Sequence, residues 1–107
     1  RKVLAHSVKV SRQTLNFEKI TEKVAGYYNI DPDLIFTKSR KREISDARQM
    51  VMYMAKKHTK MALKAIGTRV ARSHATVIYS VKNIDERLPH EKQLQTDVKA
   101  IEESLLS

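Results

Sequence analysis

The stretch Ile66 to Val81, IGTRVARSHATVIYSV, restricts this chain more than any other, because it has the residue order of a helix-turn-helix. An apolar residue and a small one (Ile66, Gly67) close a first helix, and Val70 and Ala71 fall at the turn. Ser73 follows at an N-cap position, where its hydroxyl can accept a backbone N–H of the next turn. The second helix then carries Val77 and Val81 on its inner face. Arg72, His74, Ala75 and Thr76 are left at its N-terminus, the end that meets base edges when such a helix enters the major groove. These residues predict a DNA-binding module.

The placement of charge supports that reading. The formal net charge is +9, and between Phe36 and Lys82 twelve Lys or Arg face two acids (Glu43, Asp46), a net of +10. The rest of the chain has nine basic and ten acidic residues, a net of −1. A concentrated basic surface is the electrostatic footprint of a phosphate-backbone binder. At 107 residues the chain holds one domain with a modest core, and with only two Gly and two Pro it favours helices over irregular structure. The lack of Cys excludes disulfides, thiolate metal sites and cysteine nucleophiles. No apolar run approaches a membrane span and nothing resembles a secretory signal, so a cytoplasmic location is the default expectation.

In chain order, Arg1 to about Val8 suggests a short amphipathic helix and Lys9 to Thr14 a polar joint, a start expected of a piece cut from a longer protein. A basic amphipathic helix can lie on an acidic phospholipid surface, but this one is too short and too weakly apolar to favour it. Asn16 can cap a helix with Phe17, Ile20, Val24, Tyr27 and Tyr28 on one face, the tyrosines serving as core and rim packing. Asp31-Pro32 signals a further start, through Leu34, Ile35 and Phe36. Capping explains Asp31 and Asp33 better than a metal or an acid–base pair does. Thr37 to Ile44, TKSRKREI, reads as an exposed basic loop whose arginines can reach a narrow minor groove. Ser45 is expected to cap the next helix, with Ala47, Met50, Val51, Met54 and Ala55 inward and Arg48, Gln49, Lys56 and Lys57 more polar. Thr59-Lys60 breaks it, and Met61 to about Arg69 forms the first helix of the motif. The second runs from His74 to about Leu88, ended by Pro89. A last helix, from about His90 to Leu106, turns Leu94, Val98, Ile101 and Leu105 inward and places Glu91, Asp97, Glu102 and Glu103 on an outer side away from DNA.

Taken together, TKSRKREISDARQM, ARQMVMYMAKKHT, the YYNIDPDL pattern from Tyr27 to Leu34 and the IG…RxHxTV signature from Ile66 to Val77 resemble one family. It is the C-terminal DNA-binding domain of the bacterial chromosomal replication initiators, the DnaA family, and the likeness covers about Leu15 to Ser107. The fold this implies is all-α, a compact helical bundle with a Trp-repressor-like helix-turn-helix, preceded by a short connector helix. Residues 1–14 would be that connector and joint, at the end of a preceding AAA+ region, and residues 15–107 the DNA-binding domain. The resemblance implies double-stranded DNA as partner, the DnaA box, read in both major and minor grooves. By position, Arg40 matches the arginine that enters the minor groove, with Arg42 beside it in the same basic loop. Arg72, Ser73, His74, Ala75 and Thr76 match the major-groove segment, and Arg48, Gln49 and Lys56 the phosphate contacts. Independently of the family, an arginine at Arg72 can donate two hydrogen bonds to guanine.

Where the family has Arg-Asp-His-Thr-Thr-Val, this chain has Arg72-Ser73-His74-Ala75-Thr76-Val77. The aspartate suited to cytosine N4 is lost, while Ala75 keeps a methyl that can pack on thymine. The turn is one residue shorter than the common form, with Ala71 where a glycine pair is usual. No cofactor or metal is expected in this chain. It has no G-x-x-x-x-G-K-[ST] loop, so ATP would belong to the AAA+ domain of the full-length initiator. His6, His58, His74 and His90 form no metal-ligand spacing, which speaks against a nuclease. The alternatives are the same domain in a transcriptional regulator or mobile-element protein, or an interaction module using the last helix.

Overall fold

The computed structural model describes residues 16–106, so the expected connector and joint lie outside the described residues. The first helix, α1, spans Phe17–Tyr28, and its start is the one anticipated: Asn16 Oδ1 accepts the N–H of Lys19 at 2.9 Å. It ends at Asn29, which takes the left-handed conformation (φ 59°, ψ 48°) that asparagine tolerates. A 3₁₀ turn, Pro32–Phe36, follows, with Asp31 Oδ1 accepting from the N–H of Asp33. The capping role of Asp31 is thereby accounted for.

The long helix α2 spans Arg42–His58. Ser45 does not cap it. The helix opens three residues earlier, after Lys41, with no side-chain cap, and the N–H of Ser45 already bonds to the Lys41 carbonyl at 2.9 Å. Glu43 in the first turn suits the positive end of the helix dipole, and buried Ile44 anchors that turn to the bundle. The basic loop is correspondingly short. At the other end Thr59 stops the helix, its hydroxyl returning to the Ala55 carbonyl.

Every residue from Met50 to Ala55 is buried, a run that a one-sided amphipathic pattern does not predict. The reason is position. α2 packs against α1, against α3 (Leu63–Val70) and against α4 (His74–Arg87), and is surrounded rather than laid on a core. The unbranched methionines at 50, 52 and 54 fill the irregular gaps between three neighbours.

The first helix of the motif ends at Val70, within a residue of the expected Arg69, and starts two residues later than expected, at Leu63. Ala71 then terminates it in the left-handed region (φ 58°, ψ 44°), with its N–H on the Thr68 carbonyl and that of Arg72 on the Gly67 carbonyl. Gly67 has another use: a Cβ there would lie 2.7 Å from the Arg72 backbone oxygen and 3.3 Å from Val77 Cγ2. The missing side chain lets the turn fold back against its own helix. After α4, a short 3₁₀ turn (Leu88–His90) leads to α5, Lys92–Leu106, whose Leu94, Val98, Ile101 and Leu105 are buried as the periodicity predicts. α5 closes the bundle against α1. The fold is all-α, with a helix-turn-helix carried on α2.

Candidate nucleic-acid interface

Ser73 Oγ accepts the N–H of Thr76 at 3.1 Å and lies 2.9 Å from its hydroxyl, so the start of α4 is capped as the sequence predicts. Val77, Ser80 and Ile84 face the bundle. His74 and Ala75 point away from it and are exposed, while Thr76 is half-buried at the edge. The helix therefore presents its N-terminus, with the positive end of its dipole, on an open surface.

Next to it lies the basic loop of residues 37–41, and arginines hold the two together. Arg72 is half-buried, and its Nη1 donates to the Val70 and Ala71 carbonyls at 3.2 and 3.0 Å. Its Nη2 donates to the Thr37 carbonyl in the loop at 2.9 Å. The same carbonyl accepts from Arg48 Nη2 at 2.8 Å, while Arg48 Nε reaches the Ile35 carbonyl at 2.8 Å and Nη2 also lies 3.3 Å from that of Ser39. Arg48 is only 6% exposed, so its guanidinium is committed to shaping the loop rather than lying open on the surface. Burial, and then the charge of Arg72 close by, lower its pKa. Two cations thus share one backbone oxygen of the loop, which needs a donor where no helix supplies one.

Hydroxyls complete the loop. Thr37 Oγ1 donates to the Leu34 carbonyl and accepts from the N–H of Ser39, and Ser39 Oγ accepts from the N–H of Lys41. Thr37 and Ser39 were not singled out from the sequence. The signal was present in the T-x-S spacing, which is that of consecutive hydroxyl-stabilised turns. The result is a fixed loop that leaves Lys38, Arg40, Lys41 and Arg42 exposed beside the start of α4. Arg42 is held loosely toward Asp46, at 3.9 Å.

On α2, Gln49 is half-buried and its Oε1 accepts from Asn83 Nδ2 of α4 at 3.1 Å, a partner the sequence reading did not identify. Lys56 is exposed two turns further along. The ten candidate residues thus fall into three groups. Arg40, Arg42, His74, Ala75 and Lys56 are exposed; Ser73 is exposed but occupied as a cap; Arg48, Gln49, Arg72 and Thr76 are wholly or partly enclosed. Among the described residues no group of three His, Asp or Glu could hold a metal ion, and no helix is long and apolar enough to cross a membrane.

A helix-turn-helix with a capped, exposed second helix and a cationic loop fixed beside it defines a DNA-binding domain. A family model described as the bacterial dnaA protein helix-turn-helix matches residues 17–84, and the chain belongs to that family. It is 32% identical over 106 residues to the chromosomal replication initiator protein DnaA of Flavobacterium psychrophilum, covering 98% of this chain and 22% of that protein. It is 34% identical to that of Bacteroides thetaiotaomicron (87% and 20% covered) and 32% identical to that of Lactococcus lactis (92% and 22%). The chain spans about a fifth of the length of these relatives.

Proposed function

We propose that this chain reads duplex DNA sequence-specifically at replication-origin DnaA boxes, as the DNA-binding domain of a chromosomal replication initiator. The observation that carries the reading is the bond from Arg72 to the Thr37 carbonyl, which joins the start of the recognition helix to the cationic loop. Two elements suited to different grooves then form one surface. α4 enters the major groove by its N-terminus, where His74, Ala75 and Thr76 meet base edges and the end of the dipole faces phosphate. Arg40, exposed on the loop, enters the adjoining minor groove, where negative potential favours guanidinium. Arg42, Gln49 and Lys56 line the phosphate track on either side.

Arg72 trades its carbonyl partners for guanine O6 and N7, and Arg48 keeps the loop in place while it does so. In the intact initiator, ATP chemistry belongs to a separate AAA+ domain, and the protein works on the nucleoid in the cytoplasm. The test is competition between a box-bearing and a scrambled duplex at about 150 mM salt, where non-specific attraction is suppressed. A preference of about a thousandfold is expected, and no preference would refute the assignment. Arg72→Ala should cost about 1–3 kcal/mol on the preferred duplex and relax choice near one base pair. Equal losses on specific and random DNA would deny Arg72 a base-reading role.

A further inference from the structure

Of the side chains assigned to the phosphate track, Gln49 is the one without a charge, so what it offers a phosphate is a hydrogen bond and depends on direction. It is half-buried on α2, and its Oε1 accepts from Asn83 Nδ2 of α4 at 3.1 Å. A primary amide accepts at one end and donates at the other, whereas phosphate oxygens only accept. With Oε1 occupied, the donating Nε2 is the end left over, and it forms no hydrogen bond among the described residues. The packing of α4 does not call for Asn83. The inner face of that helix is made by Val77, Ser80 and Ile84, and Asn83 is half-buried beside it. A second observation shows where Gln49 would go without this bond. It also lines a cleft of about 150 Å³ between α2, α4 and α5, whose walls include Asp46, Glu91 and Asp97. Those carboxylates accept from the same Nε2 that a phosphate needs, so an unrestrained Gln49 can turn inward to them.

We propose that Asn83 is a positioning residue for phosphate binding: it holds the Gln49 amide out of the cleft, with Nε2 directed at one phosphate of the duplex. Resting on the duplex reading above, the proposal adds a residue that acts through another side chain rather than on DNA. Fixing the amide in the free chain spares the ordering that a loose side chain undergoes on binding. For one long side chain that is worth about fivefold in affinity.

The test begins with a duplex selected by the unaltered chain from a random pool. Its phosphates are replaced one at a time by methylphosphonate, which removes the charge and one acceptor oxygen at a single step. Several positions should weaken binding by the unaltered chain, and in Gln49→Ala the penalty at one of them should vanish. Asn83→Leu keeps the volume but lacks the donor. It should bind the unmodified duplex about fivefold more weakly and lose the penalty at that same phosphate. The double variant should be no weaker than Gln49→Ala alone. Because no charge is removed, each variant should keep the salt slope of the unaltered chain. Urea midpoints show that the variants are folded, and Asn83→Ala takes the place of Asn83→Leu if leucine disturbs the helix. A penalty that persists without the Asn83 amide, or losses that add in the double variant, would overturn the positioning role. So would the absence of any phosphate whose penalty depends on Gln49, which leaves sequence-specific binding standing. A pool that enriches no sequence would overturn the duplex reading and this proposal with it.

Discussion

On the face built from the loop and the start of α4, Lys38, Arg40, Lys41 and Lys56 are exposed and form no ion pair among the described residues. Where α5 meets the rest of the bundle, the acids behave in the opposite way. Asp97 accepts from the hydroxyls of Tyr27 (2.6 Å) and Tyr28 (3.3 Å), whose rings pack edge to face at 5.0 Å. Glu102 takes Lys57 at 2.7 Å and His58 at 2.8 Å, and Glu91 grips Arg87 through two hydrogen bonds. Asp97 and Glu102 are internal braces, so the expectation that they line an outer acidic side is corrected: both are half-buried, while Glu91 and Glu103 are exposed as expected. The contrast shows how one small bundle keeps a strongly positive surface available. Asp97 and Glu102 are consumed by partners away from the start of the recognition helix, and Lys38, Arg40, Lys41, Arg48 and Arg72 are either left open or bound to uncharged backbone carbonyls, which do not cancel their charge.

The largest departure from that arrangement should come from Arg48→Ala. Removing the guanidinium strips the Ile35 and Ser39 carbonyls of a donor and should cost about 3 kcal/mol, measured by urea unfolding. A loss below about 1 kcal/mol would mean that the hydroxyls and the Arg72 bond hold the loop without Arg48.

Glu102→Gln tests the bracing side, with an expected cost of about 1–2 kcal/mol at neutral pH. Burial alone would raise the Glu102 carboxyl, but hydrogen bonds from Lys57 and His58, and their charge, hold it below its usual value. Its folded pKa is thus lower than its unfolded one. The stabilisation is present above the ordinary carboxylate range and drains away as pH falls through the folded value. Urea midpoints between about pH 3 and 6 should fall steeply in the unaltered chain and less steeply in Glu102→Gln. Parallel curves would remove Glu102 from the acid response.

Ala71→Gly addresses strain on the DNA side. A non-glycine residue at φ 58° carries a steric cost, and glycine should relieve about 1 kcal/mol, seen as a higher unfolding midpoint. A drop in stability would mean that the extra freedom of glycine in the unfolded chain outweighs that relief. The smallest effect on stability, within about 0.5 kcal/mol, is expected of Lys56→Ala. Binding is where that variant should differ, with all duplexes weakened alike and the salt dependence flattened by about one unit. An unchanged slope would place Lys56 off the phosphate track.

Much of the architecture was legible because it depends on local rules. Asn16, Asp31 and Ser73 cap where short polar side chains can reach nearby N–H groups, Thr59 stops α2, and the apolar spacing of α5 identifies its buried face. The helix-turn-helix order and the excess charge between Phe36 and Lys82 are likewise properties of the chain as written. Other features required the packed molecule. No spacing rule reveals that Arg48 is buried, that six consecutive residues of α2 are enclosed, or that Arg48 and Arg72 share the Thr37 carbonyl across 11 and 35 residues of chain. Nor does a run of acids on α5 disclose that Asp97 reaches tyrosines some seventy residues away. Amino-acid order by itself determined the order of the helices, the caps at Asn16, Asp31 and Ser73 and the sign of the surface, because those follow from neighbours within one or two turns. Only the tertiary structure decided which charges are spent and which stay open, because a charge finds its partner through space.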